Sequence, residues 1–255
     1  MLKRLLAVVA GLCICAGAHA QFARDTLAAP VFRASQLIAP VTLGAAGAAL
    51  HFIGHEAVEV PVRSFVQGIP GAGPSRTDFT SYVRWAPVAL HLGLGLVGAD
   101  SRRPFLDRTI EDAISYGFAL GGGYLLKKAF RGERPGGGEF DSFPSGHAVI
   151  AFTGAELMRM DYGWGWGSGA YVLATAIGAE RLWSDRHWLG DVLAGAGFGI
   201  LCAHAGEWLL GPFKSLFGIP DVPWDGLSRR RTDLAFMASS DPVSGTPLAG
   251  VVLSF

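Results

Sequence analysis

Apolar residues in this chain come in blocks. After an apolar start, six windows lack Asp, Glu, Lys and Arg altogether: residues 37–54, 85–99, 113–126, 146–155, 163–179 and 192–206. Ala, Leu and Gly dominate them, and each outruns the 4–8 residues of a buried strand, so each predicts a helix. A bilayer-spanning helix needs about 20 apolar residues, whereas runs of about 10–14 more often mark a buried core helix. Most windows fall between these limits. The pattern therefore predicts six short hydrophobic helices and leaves open whether they cross a membrane. Between the windows lie polar, breaker-rich connections: residues 67–80 with Pro70 and Pro74, residues 100–108 with Arg102, Arg103 and Arg108, and residues 131–142 with Gly136, Gly137 and Gly138. Beyond Trp208 the pattern changes. Pro212, Pro220 and Pro223 lead to an Arg229-Arg230-Arg231 cluster, and residues 234–237 and 251–255 predict two short strands around a turn.

Composition narrows the class. Of 255 residues, 21 are basic, 21 acidic and 36 glycine; only 16% are charged, and mean hydropathy is +0.35. A soluble domain carries about 25% charged residues, so this chain is poor in charge. Half its residues are hydrophobic, which excludes a disordered chain. Zero net charge argues against a nucleic-acid binder, which would carry a basic excess. Glycine at this level, with no collagen period, predicts close helix packing and tight loops. Residues 1–20 read as a secretory signal: Lys3 and Arg4, an apolar run, then Ala18-His19-Ala20 as a small-x-small cleavage site. An uncleaved anchor is the other reading. Cys13 and Cys15 belong to that segment, which leaves Cys202 without an internal disulfide partner. The expected organisation is a signal or anchor at 1–20, a helical domain at 21–211 and a tail at 212–255.

Three polar clusters sit at window ends. They are Lys127-x6-Arg134-Pro135, then Pro144-Ser145-Gly146-His147, then Arg181-x5-His187-x3-Asp191. Cations beside apolar helices are costly unless an anion balances them. Arg presents a planar fork suited to phosphate oxygens, and Lys adds a point charge. Ser145, Gly146 and His147 open a helix, where backbone N–H groups and the helix dipole favour an anion. His187 and Asp191 are four apart and share a helix face. A carboxylate there can hold one imidazole nitrogen and leave the other free to attack. His147 supplies a second imidazole as general acid. Taken singly, each cluster also has a plain reading: a snorkelling lysine, a capped helix start, a His–Asp pair that only steadies a helix. Together they fit phosphoryl transfer through a covalent phospho-histidine.

These clusters resemble the signature of the type 2 phosphatidic acid phosphatase superfamily: Lys-x6-Arg-Pro, Pro-Ser-Gly-His and Ser-Arg-x5-His-x3-Asp. The resemblance covers residues 127–191. Glu180 stands where the family usually has Ser. The resemblance implies an all-α bundle with the site at one end. It implies His187 as nucleophile, Asp191 as its orienter and His147 as acid to the leaving group, with Lys127, Arg134, Ser145, Gly146 and Arg181 as phosphate ligands. It implies no metal and no cofactor, and vanadate as a phosphate-mimicking inhibitor. No Cys/His/carboxylate cluster in the sequence has ligand spacing; His51 and His55 are four apart, but only Glu56 accompanies them.

The expected function is a metal-independent phosphatase of mono- or diphosphate esters on a lipid-linked substrate, exported to the cell envelope and membrane-associated. Two alternatives stand beside it: a soluble periplasmic acid phosphatase of broad specificity, and an inert phospholipid-binding membrane protein. Among the remaining residues, His91 and His204 are expected as satisfied core histidines, and Glu156 and Arg159 as a pair on one helix face.

Overall fold

A computed structural model describes residues 32–74, 79–97 and 99–220, together with the backbone of two strands. The signal-like segment 1–20, the Arg229–Arg231 cluster and Phe255 lie outside the described residues. The chain divides into two units, 1–220 and 221–255. The first is all-α. A 3-10 turn at Ala34–Leu37 leads into α1 (Ile38–Phe52), and a π turn at His55–Glu59 leads into α2 (Val60–Gln67). Then come α3 (Thr80–Val83), α4 (Ala86–Leu96), α5 (Phe105–Phe130), α6 (Gly146–Trp183) and α7 (Leu189–Leu216). The second unit holds β1 (Asp233–Ser240) and β2 (Pro247–Ser254), an antiparallel pair with Asp233 opposite Ser254. Both overlap the predicted strands and extend them.

The 38 residues of α6 are two helical arms. At Gly163, φ is 75° and ψ is −174°, a left-handed conformation that glycine adopts without a Cβ penalty. The arms fold back on each other: Ala151, Ala155, Met158 and Tyr162 from residues 146–162 form one buried cluster with Ala170, Ala174 and Ile177 from residues 164–183. Tyr171 Oη donates 2.6 Å to Glu156 across the same seam. The six apolar windows thus map onto α1, α4, α5, the two arms of α6, and α7.

The helices are longer than the windows. α5 reaches back to Phe105 and takes in Arg108, Glu111 and Asp112, all buried. α7 runs through Pro212 to Leu216. Burying an unpaired charge costs several kcal/mol, and most of these charges have ionic partners, whereas Arg108 bonds instead to His91 O and the Tyr162 hydroxyl. His91 Nδ1 lies 3.1 Å from Asp112 and Nε2 lies 2.9 Å from Asp161. Arg103 Nη1 meets Glu111 at 2.7 Å and Asp161 at 3.0 Å, while Nη2 meets Glu207 at 2.5 Å. Glu156 pairs with Arg159 at 2.5 Å and with His204 at 2.9 Å. Residues 100–108, expected as a solvated connection, instead send Arg103 and Arg108 inward; Arg108 is fully buried. Polar side chains stop a window of apolar sequence without stopping a helix, provided their charges pair inside the bundle.

α7 is the central helix, packed against α1, α5 and α6. α1 and α7 touch backbone to backbone: a methyl group added at Gly190 would lie 2.6 Å from Gly47 O, closer than carbon and oxygen can approach. α7 is long and apolar enough to cross a membrane, and 72% of its most apolar window is buried within the protein. The turn at Ala34–Leu37 and α1, taken with the segment His55–Gln67, pass the same test together across a 93° bend.

Candidate active site

Four helix ends meet at one end of the bundle: the end of α5, the start of α6, the end of its second arm and the start of α7. The turnaround at Gly163 is what returns Arg181 to the end from which His147 departs. His147 Nε2 lies 3.3 Å from Arg181 Nη1 and 3.1 Å from Ser81 Oγ. Lys127, in the last turn of α5, lies against the start of α6; a Cβ on Gly146 would sit 3.8 Å from its Cε. Lys127 Nζ also donates to Asp141 O.

Asp191 organises the centre. It is fully buried at the third position of α7. Its Oδ2 accepts the Trp188 N–H at 2.9 Å, which caps the helix, and the Ser142 hydroxyl. The same oxygen lies 3.5 Å from His187 Nδ1, and Ser142 Oγ is 3.3 Å from that nitrogen. With Nδ1 turned to the carboxylate, Nε2 is the ring nitrogen left to react. Asp191 O accepts the Ser145 N–H at 3.0 Å, which ties the second cluster to the third. Ser145 N–H is thereby engaged by the chain itself, and Gly146 follows it as the first residue of α6. The Ser145 hydroxyl is buried and has no partner among the described residues.

The electrostatics follow from this packing. Burial disfavours a charged His187, and the cations of Lys127 and Arg134 add to it, so its pKa falls below the ordinary imidazole value despite Asp191. Burial alone would raise Asp191, but the adjacent imidazoles of His187 and His51 and the Ser142 hydroxyl hold its carboxyl well below the usual carboxylate range. Burial also lowers Lys127. The site is a neutral imidazole on an ionised carboxylate within a cationic field.

Acidic residues of the chain stand on the other cations. Arg134 meets Glu139 at 2.5 Å and Asp141 at 2.9 Å. Arg181 Nε donates 2.6 Å to Glu180, and Thr80 Oγ1 donates 3.0 Å to the same carboxylate. The segment from Arg181 to His187 is clamped from outside: Arg63 on α2 grips Asp185 through two 2.7 Å bonds. A cleft of about 340 Å³ opens beside the centre, lined by His51, His55, Glu133, Arg134, Pro135, Gly137 and Trp188.

All eight sequence-predicted residues therefore come together in two linked sets. Lys127, Arg134, Ser145, Gly146, His187 and Asp191 form one, His147 and Arg181 the other, joined through the start of α6. Sequence reasoning missed Ser142, the Thr80–Glu180 contact, and His51, whose Nδ1 lies 3.1 Å from Asp191 Oδ1. Ser142 sits two residues before Pro144, near enough to have been weighed; nothing local in the sequence points from His51 to Asp191.

A helix start with clustered cations and an imidazole beside a carboxylate is an arrangement whose charges suit an oxyanion. The profile of the PAP2 superfamily matches residues 89–211. The lipid A 1-phosphatase of Porphyromonas gingivalis is 34% identical over 146 residues, covering 54% of this chain and 32% of that protein. The bacitracin transport permease protein BcrC of Bacillus licheniformis is 41% identical over 66 residues, 25% of this chain and 30% of that one. The chain thus spans about a third of the length of the curated relatives it matches. Among solved structures, Aquifex aeolicus LpxE is 19% identical with a TM-score of 0.42, covering 59% of this chain and 94% of that one. A PAP2-type phosphatidylglycerolphosphate phosphatase from Bacillus subtilis is 20% identical with a TM-score of 0.41, covering 72% and 99%.

Proposed function

We propose that this chain is a metal-independent phosphatase of phosphorylated lipids that works through a phospho-histidine at His187. The observation that carries the reading is His187 Nδ1 facing Asp191 at the start of α7, inside the field of Lys127 and Arg134. In the first step His187 Nε2 attacks phosphorus. The phosphorus–oxygen bond to the leaving group breaks, its electron pair stays on that oxygen, and His147 delivers a proton to it. In the second step His147, now a base, takes a proton from water. The water oxygen bonds to phosphorus, the phosphorus–nitrogen bond breaks, and inorganic phosphate leaves with His187 neutral again. Asp191 stabilises the positive imidazole between the steps. Lys127, Arg134, Ser145, Gly146 and Arg181 hold the phosphoryl oxygens as their charge grows. Orthovanadate, which mimics that geometry, is the expected inhibitor.

Two features support a lipid carrier for the phosphate. Exposed apolar side chains crowd the site's end of α1 and α5: Phe52, Ile53, Leu125 and Phe130, with Ile53 86% exposed. One relative carries lipid A 1-phosphatase as its name. Work at the outer face of a cell envelope, after export on the segment 1–20, belongs to the same proposal.

The test is phosphate release by the purified full chain from detergent micelles of phosphatidate, phosphatidylglycerol phosphate, a polyprenyl diphosphate and lipid A. Turnover of at least one is expected, together with a labelled, acid-labile phospho-enzyme lost in His187→Ala. Release from none of the four overturns the reading.

A further inference from the structure

The clearest group without an assigned task is His51. It lies on α1, outside the 89–211 stretch of the family match and outside all three clusters. Its side chain is 10% exposed, and its Nδ1 lies 3.1 Å from Asp191 Oδ1, the carboxylate oxygen that Ser142 and Trp188 do not use. Neither atom makes an aligned hydrogen bond among the described residues, so each buried atom needs a partner that a small turn of the His51 ring would supply. Three features hold the ring there. Phe143 packs on it at 4.7 Å between centroids and Phe52 at 4.8 Å. Gly132, one of the six residues between Lys127 and Arg134, makes room for it: a Cβ there would lie 2.8 Å from His51 Cε1. The backbone contact of Gly47 with Gly190 fixes α1 on α7, and so fixes the distance from ring to carboxylate.

We propose that His51 is a positioning residue: its Nδ1–H holds Asp191 Oδ1, so that the carboxylate cannot rotate away from His187 and His187 keeps its proton on Nδ1 and its lone pair on Nε2. The inference rests on the phosphatase reading for its kinetic consequence but not for its structural one. Rotation of the carboxylate about its Cβ–Cγ bond is opposed at Oδ2 by Ser142 and Trp188, and a donor on Oδ1 adds a restraint at the second oxygen. The tighter the carboxylate plane is held, the more completely a neutral imidazole beside it is kept in one tautomer. His51 touches no phosphate in this scheme, so its loss should slow chemistry while leaving the anion site intact. Outer partners of metal-bound histidines are worth about 10- to 100-fold when removed, and a loss of that order is expected here.

Two variants of the full chain test it. His51→Leu removes the donor and keeps an apolar side chain against Phe143. His51→Asn places an amide N–H near the position of Nδ1. With p-nitrophenyl phosphate as probe, His51→Leu should lower kcat about 10- to 100-fold. KM and the inhibition constant of inorganic phosphate should stay near wild type, and His51→Asn should recover most of kcat. The ring signals of His187 in ¹⁵N-histidine NMR give an arm independent of turnover. Wild type and His51→Asn should show a single Nδ1–H tautomer, and His51→Leu a mixture. An unchanged His187 tautomer in His51→Leu overturns the proposal, as does a loss shared equally between kcat and phosphate binding. A wild-type protein that hydrolyses nothing sinks the phosphatase reading alone, because the NMR arm still decides the role of His51.

Discussion

At one end of the helical unit, His187 lies 3.5 Å from a single carboxylate with Lys127 and Arg134 nearby. At the other end, about 20 Å away at 1.5 Å per residue along the first arm of α6, His91 lies between two carboxylates, Asp112 and Asp161. Both imidazoles are buried. Burial works against the charged form of each, and the neighbours decide the outcome. The two carboxylates outweigh burial at His91 and carry its pKa up to about 9. At His187 the cations reinforce burial, and the pKa falls. One end therefore keeps a charged imidazole that links helices α4, α5 and α6, while the other keeps a neutral ring able to attack. The same side chain is structural or chemical according to the sign of the charge around it.

Four measurements would break or sharpen this contrast. The largest effect is expected for His187→Ala, with kcat for phosphate release falling about 10⁴-fold or more and the thermal midpoint unchanged; retained turnover would remove His187 from the chemistry. Next, Asp161→Ala strips His91 and Arg103 of a buried partner and should cost about 3–5 kcal/mol in urea unfolding. Its kcat per folded molecule should match wild type, and a matching loss of kcat would mean the two ends are not separate. The third concerns pH. His187 must be neutral to attack, so activity is present above its folded pKa and is lost as pH falls through it. With that pKa lowered, the acid limb of kcat/KM should have its midpoint below the ordinary imidazole value of 6.5; a midpoint above it would contradict the cationic field. The smallest effect belongs to Glu180→Ser, which frees Arg181 from its neighbouring carboxylate. A part-exposed pair of this kind is worth about 0.2–1 kcal/mol, so inhibition by orthovanadate should tighten about 1.4- to fivefold.

The chemistry was more legible in the sequence than the packing. Lys127, Arg134, His147, Arg181, His187 and Asp191 interrupt or flank apolar windows, so local spacing alone drew attention to them. The windows also marked six helical segments correctly, because each is apolar on every face that packs. Three things escaped. Arg103, Arg108 and Glu111 looked solvated because a charge in sequence does not reveal a partner sixty or a hundred positions away. Gly163 looked like the edge of a window, when its left-handed backbone is what folds residues 146–183 into a hairpin. His51 looked only like half of an incomplete metal pair with His55, because Asp191 is brought to it only by the crossing of α1 and α7.

That crossing bears on how much of the chain can be cut away. The recognisable family stretch starts at residue 89, which invites expression of that portion alone. Yet Gly47 sits against Gly190 in backbone contact, Glu59 Oε1 accepts the Gly190 N–H at 2.8 Å, and Arg63 clamps Asp185. A fragment lacking α1 and α2 would expose the glycine face of its own central helix and leave Asp191 open to water. The smallest autonomous folding unit is therefore larger than the recognisable domain, and it begins no later than α1.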